Sequence, residues 1–174
     1  MSSLMQACAD SPQETTVAFK NAMRQLAGGV SVITASCGEE RTGMTVTSVI
    51  SISLDPPELV VSVNREASSW PMIDQTRRFG VNILGAGQLQ IGERFSGKGG
   101  IKGEQRYEGA PWQQDEHGVW YLPDALAALS CEVETIWVHR THNLVVGRVR
   151  AVYGQLGGDG PLTYWNGRFG TFEP

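Results

Sequence analysis

Between Gly43 and Leu54 the chain alternates two kinds of side chain, and this constrains its fold more than any other feature. Even positions carry Met44, Val46, Ser48, Ile50, Ile52 and Leu54; odd positions include Thr45, Thr47, Ser51 and Ser53. Successive side chains of a strand point to opposite faces. The period of two therefore predicts one strand over 43–54, apolar on one face and lined with hydroxyls on the other. Asp55-Pro56-Pro57 ends it, because proline cannot continue a hydrogen-bonded ladder.

The same reading predicts strands over 30–35, 58–64, 79–84, 128–140 and 142–154, with a last strand or two in 161–172. Helical spacing is rarer. Phe19, Ala22, Met23, Leu26 and Ala27 mark a helix that Thr15 or Thr16 can cap and Gly28-Gly29 ends. Residues 67–75 form a short helix with Pro71 in its first turn and Ser68 or Ser69 as cap, and 87–95 another. The glycine- and lysine-rich stretch 96–103 reads as a mobile loop, and residues 1–14 as an N-terminal tail before one domain over 15–174. Helices do not alternate one for one with strands, which argues against a doubly wound parallel sheet. The expected fold is mainly β, an antiparallel barrel with short peripheral helices.

A chain of 174 residues suits a single domain. A formal net charge of -4 argues against a nucleic-acid partner, which needs a concentrated positive surface. Cys8, Cys37 and Cys131 are scattered and form no CxxC pair, which suits free thiols in a reducing cytoplasm. The first nine residues have neither a basic region nor an apolar run, so no signal peptide is expected, and no apolar run approaches the ~20 residues that span a bilayer.

The usual catalytic groupings are missing: no GxGxxG opening a helix, no GxxxxGK[ST] and no GxSxG. His139 and His142 lie three apart on a strand or turn, a poor spacing for a metal pair, so no metal is expected. What remains is the hydroxyl row. Short hydroxyls and backbone N–H groups on a rigid strand suit the polar rim of a flavin ring. The pattern alone favours the plainer reading, a solvated strand face on which threonine is at home.

Ordered segments then add a resemblance. Phe19-Lys-Asn-Ala-Met, Gly29-Val-Ser-Val-Ile-Thr34, Gly43-Met-Thr-Val-Thr-Ser48 and Ser51-Ile-Ser-Leu-Asp-Pro-Pro57 occur in sequence. They are followed by Val61-Ser-Val-Asn-Arg65, Phe79-Gly-Val-Asn-Ile-Leu84, Gln88, Leu126-Ala-Ala-Leu-Ser-Cys-Glu-Val133, Thr141-His142, Gly147-Arg-Val149 and Pro161-Leu-Thr-Tyr164. The set resembles the short-chain flavin reductase family, the reductase components of two-component flavin-dependent monooxygenases. That resemblance covers about residues 17–169.

It implies a split β-barrel of the FMN-binding type, antiparallel with Greek-key connections, and a homodimer with flavin sites near its interface. It implies hydride transfer from NADH or NADPH to FMN or FAD, with reduced flavin passed to a partner monooxygenase. By the same resemblance Thr45, Val46, Thr47 and Ser48 lie along the flavin ring with Ser51 beyond. Asn64, Arg65 and Ser68 serve its ribityl and phosphate end, with Lys98 a further phosphate cation. His142 aligns with the histidine of a Gly-Asp-His signature that holds the nicotinamide; here the triplet is Arg140-Thr141-His142. Trp165, Arg168 and Phe169 fall where the family meets the nicotinamide dinucleotide. The chemistry belongs to the two cofactors, so no catalytic side chain is expected. The alternatives are a non-catalytic flavin- or haem-binding split barrel, with His139 or His142 as axial ligand, and a reductase whose final acceptor is a corrinoid or ferric iron.

Overall fold

Ser11 is the first residue the structure describes. In the computed structural model, which describes residues 11–154 and 160–172, its side chain accepts the Glu14 N–H and caps α1 (Pro12–Met23). Thr15 and Thr16 do not cap. Their hydroxyls donate back to the carbonyls of Ser11 and Pro12, as they do inside a helix. The helix therefore starts four or five residues before the expected position, and the last residues of the segment read as a tail, 12–14, are helical; residues 1–10 lie outside the described part. No residue of α1 is buried.

The strands follow in order: β1 (Gly28–Gly29), β2 (Ser31–Cys37), β3 (Glu40–Val46), β4 (Ile50–Leu54) and β5 (Pro57–Asn64). Then come α2 (Ser69–Thr76), β6 (Arg78–Ile83), α3 (Leu89–Phe95) and the short hairpin β7 (Gln113–Gln114) and β8 (Trp120–Tyr121). β9 (Ala127–His139), β10 (His142–Tyr153), β11 (Leu162–Trp165) and β12 (Arg168–Thr171) complete the chain. Seven strands form one antiparallel sheet in the order β3-β2-β6-β9-β10-β5-β4, and β1-β11-β12 form a second.

β3 and β4 lie at opposite edges of the large sheet, yet only residues 47–49 join them. So short a link spans roughly 13 Å at most, four steps of ~3.3 Å. The sheet must curl until its edges nearly meet, and this makes the barrel. Ser48 marks the seam: its Oγ donates to the Ser62 carbonyl and accepts the Ser62 N–H, both at 3.3 Å.

The single strand expected over 43–54 is therefore two. β3 pairs with β2, whereas β4 pairs with β5 and carries a bulge between Ser51 and Ser53. The alternation runs through the break, but the faces do not. Met44 and Val46 pack against the barrel core, while Ile50 and Leu54 are 60% and 89% exposed. The Asp55-Pro56-Pro57 stop holds: β4 ends at Leu54 and Pro57 opens β5, a strand-end position where its missing N–H is harmless.

β2 is buried on both faces. Ile33 and Ala35 join Leu59, Val61, Val63, Ile73, Phe79, Val81, Cys131 and Val145 inside the barrel. Val32, from the other face, joins Val30, Leu84, Phe95, Tyr107, Leu122 and Leu162 beneath α3. Asn82 ties the two layers: its Nδ2 donates to the Val32 carbonyl at 3.2 Å and its Oδ1 accepts the Leu122 N–H at 2.8 Å. The stretch after α3, expected as a loop over 96–103, contains two short 3-10 turns (Lys98–Gly100 and Gly103–Tyr107). Arg106 fastens it by donating to the Gly43 and Phe95 carbonyls.

Candidate functional site

Where β3 leaves the sheet, Thr45, Val46 and Thr47 form one wall of an open pocket of about 290 Å³. Val30, Ser96, Tyr164 and Phe169 form the rest. Each wall is held by a specific contact. Thr45 Oγ1 donates to the Gly92 carbonyl at 2.6 Å, which fixes β3 to α3. Tyr164 and Phe169 meet edge to face with centroids 5.1 Å apart. Gly28 pairs with Tyr164 across β1 and β11 and presses against Thr47. Among the described residues, the N–H groups of Thr47, Ser48 and Val49 make no backbone hydrogen bond, because they lie between two ladders. The pocket thus offers an apolar and aromatic lining, the Thr47 hydroxyl and unspent backbone donors at and just beyond Thr47, while the Ser96 hydroxyl donates to the Glu93 carbonyl at 2.7 Å. These are the parts that a flat heteroaromatic ring with a polar rim requires.

The remaining sequence-derived residues divide between this pocket, a second cleft where the end of β5 meets the β9–β10 turn, and exposed positions outside both. Thr45, Val46, Thr47 and Phe169 line the pocket. Ser48 adjoins it, but its hydroxyl is spent on Ser62, so it shapes the seam. Ser51 is exposed on β4 and is not part of the lining. Trp165 and Arg168 are exposed and face each other as a pair at the β11–β12 turn. Lys98 is exposed and paired with Glu93, which leaves it less available to a phosphate.

Asn64 stands opposite His142 in the β5–β10 ladder, so the end of β5 and the β9–β10 turn are neighbours. Asn64 and Arg65 line a cleft of about 550 Å³ with Glu66, Trp70, Arg140 and Thr141. His142 is exposed, its Nδ1 2.9 Å from Thr141 Oγ1, and His139 is exposed beside it. Ser68 precedes α2 without capping it; its hydroxyl bonds Thr42 Oγ1 at 2.9 Å. Sequence reasoning did not single out Val30, Ser96, Tyr164, Trp70 or Arg140 as lining residues, nor Gly28 as the spacer behind Thr47. Tyr164 shares its strand face with buried Leu162, a signal that the period of two does carry.

Comparison with known proteins places this geometry in context. The family model described as "Flavin reductase like domain" matches residues 23–173. The chain is 37% identical over 133 residues to the FADH(2)-dependent resorcinol hydroxylase reductase component of Rhizobium sp., covering 75% of this chain and 73% of that protein. It is 33% identical over 159 residues to the FMN reductase (NADH) RutF 2 of Rhizobium rhizogenes, covering 91% and 90%. Among solved structures it superposes on the styrene monooxygenase flavin reductase of Pseudomonas putida S12 with TM-score 0.77 at 30% identity, covering 90% and 97%. On the flavin reductase PheA2 the TM-score is 0.81 at 28% identity, covering 91% and 98%.

Proposed function

This chain belongs to the flavin reductase-like family, and on that premise we propose how its own residues perform NAD(P)H:flavin oxidoreductase chemistry and what it serves. Its fold is the antiparallel split barrel of that family. A bound flavin supplies the redox chemistry, accepting hydride from a nicotinamide. The observation that carries the site assignment is the pocket between Thr45–Thr47 and the Tyr164–Phe169 pair. Thr47 and the backbone N–H groups of 47–49 meet the polar rim of the ring and stabilise the negative charge that reduction places there. Val30, Val46 and Phe169 exclude water from its faces, and Tyr164 holds Phe169 in place. No side chain is needed as nucleophile or base, which fits the absence of triad and metal motifs in the sequence.

His142 and Asn64 form a second contact region, which receives the nucleotide parts that extend beyond the ring. Two relatives are named as reductase components of oxygenases, and this supports an oxygenase as the consumer of the reduced flavin. The apolar residues that a lone protomer leaves exposed support a homodimer. Val17, Phe19, Met23 and Leu26 lie on or just after α1, and Ile50, Ile52 and Leu54 on β4. Among the described residues the thiols Cys37 and Cys131 are both unbridged, which suits a reducing compartment such as the cytoplasm.

The test is NADH and NADPH oxidation by the purified chain, with FMN, with FAD and without flavin. Turnover that depends on added or bound flavin is expected. No oxidation with either nicotinamide and either flavin overturns the reading.

A further inference from the structure

β3 is an edge strand of the large sheet, and α3 and the 3-10 turn Gly103–Tyr107 pack against it. Gly43 permits the close approach, since a Cβ there would stand 2.7 Å from the Phe95 ring. Adjacent residues of the turn then take adjacent carbonyls of β3. Arg106 Nη1 donates to the Gly43 carbonyl, and Tyr107 Oη donates to the Thr42 carbonyl at 2.7 Å. The same Arg106 nitrogen reaches the Phe95 carbonyl at the end of α3 at 3.3 Å, and Nε reaches the Ile101 carbonyl at 3.4 Å. A cation is favoured where a helix ends on carbonyls without helical partners.

Arg94 and Lys98, on α3 and just after it, meet the carboxylates of Glu108 and Glu93. Half-buried Arg106 instead gives its donors to backbone carbonyls of three segments. Two of those carbonyls sit directly behind the pocket. Gly43 lies two residues before Thr45, and Phe95 one before Ser96; Thr45 and Ser96 line the pocket, whereas Arg106 does not. A second tie runs beside this one, because the Gly92 carbonyl accepts both Thr45 Oγ1 at 2.6 Å and the Ser96 N–H at 3.1 Å.

We infer that Arg106 is a positioning residue for the flavin ring, acting through the Thr45–Thr47 wall and Ser96. It holds β3 and the end of α3 at the separation the ring requires. The inference rests on the reductase reading and adds a residue that the pocket lining does not reveal. FMN and FAD share the ring, so loss of Arg106 weakens both alike.

FMN and FAD are titrated separately against the whole chain. Binding is read from flavin fluorescence, and ring orientation from the visible circular dichroism of the bound flavin. Arg106→Met keeps an apolar stem and removes the donors. It is expected to raise both dissociation constants about tenfold and to alter the dichroism at saturation, since ångström-scale misplacement suffices. Arg106→Lys keeps the charge without the planar fork, so it binds flavin only about threefold more weakly than the parent. Arg94→Met is the comparison. Arg94 ties the same turn to α3, through the Gln105 carbonyl and Glu108, and leaves β3 alone. Its loss is expected to leave flavin binding within about twofold of the parent.

Parent-like flavin binding by Arg106→Met overturns the inference, as does equal weakening by Arg94→Met, loss of FAD affinity without loss of FMN affinity, or no recovery with lysine. Should Arg106→Met not fold, Arg106→Lys decides: intermediate binding upholds the inference and parent-like binding overturns it. NADH oxidation by the parent separates the two readings. Turnover with flavin binding indifferent to Arg106 sinks only this inference. Flavin binding that depends on Arg106 without NADH oxidation sinks only the reductase reading, and a parent that binds neither flavin sinks both.

Discussion

Gly28 abuts Thr47 so closely that a Cβ on Gly28 would stand 2.9 Å from Thr47 Cβ. Its backbone pairs with Tyr164, so this one glycine spaces two walls of the pocket. Gly28→Ala must push Thr47 aside. The atom in the way is Thr47 Cβ, fixed by its backbone, so the link at 47–49 must itself shift; that link lies outside both ladders, so the cost to stability is modest while the residue meeting the ring is displaced. The KM for flavin is expected to rise roughly tenfold with a small change in melting temperature, because ångström-scale misplacement weakens binding far more than folding. Steady-state kinetics with varied flavin checks this, and an unchanged KM removes Thr47 from the site.

Gly147 gives the opposite split. It sits on β10 beside a bulge, and a Cβ there would come within 2.8 Å of Phe79 Cε1 and 3.2 Å of Cys131 Cβ. Both neighbours are buried in the barrel and have nowhere to go. Gly147→Ala is expected to destabilise the fold by about 1–3 kcal/mol, the usual cost of overpacking a core. Urea denaturation of the variant beside the parent measures it.

The contrast between these glycines shows what the sequence could reveal. Residue pattern located β2, β5, β6, β9 and β10, because each stays within one sheet along its whole length. It concealed the break at 47–49, because Ser48 bonds to Ser62, a tertiary partner that no local pattern announces. α1 was misplaced by a few residues because Ser11, Thr15 and Thr16 are all good capping types, and only the backbone decides which one caps. At the site, the run Thr45–Thr47 was legible through resemblance, and Phe169 with it. Tyr164 and Ser96 were not, since their roles depend on β11 and α3 meeting β3. The hairpin β7–β8 has two residues per strand, too few for any period to appear.

The buried thiol of Cys131 sets an alkaline limit. Burial pushes it from an ordinary value near 9 up to about 12. As pH rises above 9 the unfolded chain releases this proton first, so stability falls by about 1.4 kcal/mol per pH unit until the folded thiol itself ionises near 12. Tyr107 acts in the same direction: burial raises its phenol, which donates to the Thr42 carbonyl at 2.7 Å. Urea midpoints between pH 8 and 11 should fall more steeply for the parent than for Cys131→Ala. Parallel slopes would show that the thiol is not the titrating group.

The proposed homodimer makes Leu54 the sharpest surface probe, since at 89% exposure a leucine gains nothing from a lone protomer. Leu54→Asp removes no buried contact within the chain, so a monomer that folds should survive it. Sedimentation velocity is expected to show a dimer for the parent and a shift toward monomer for the variant. A parent that sediments as a monomer at micromolar concentration would leave the exposed faces of α1 and β4 to some other partner.

His142 is the last residue whose assignment can be isolated. It faces Asn64 across the β5–β10 ladder, and its Nδ1 is held 2.9 Å from the Thr141 hydroxyl, leaving Nε2 directed away from that contact. Its ring is exposed and packs in neither core cluster, so His142→Ala is expected to cost little stability. If the ring holds the nicotinamide nucleotide, the KM for NADH rises several-fold while the KM for flavin, set at the Thr45–Thr47 wall, moves much less. A purely structural histidine would move both constants or neither. His142→Asn, which restores one short polar group at the same strand position, should recover part of the NADH affinity if the interaction is a hydrogen bond, and none of it if the imidazole acts by stacking. Equal shifts in both KM values would place His142 outside the nicotinamide site.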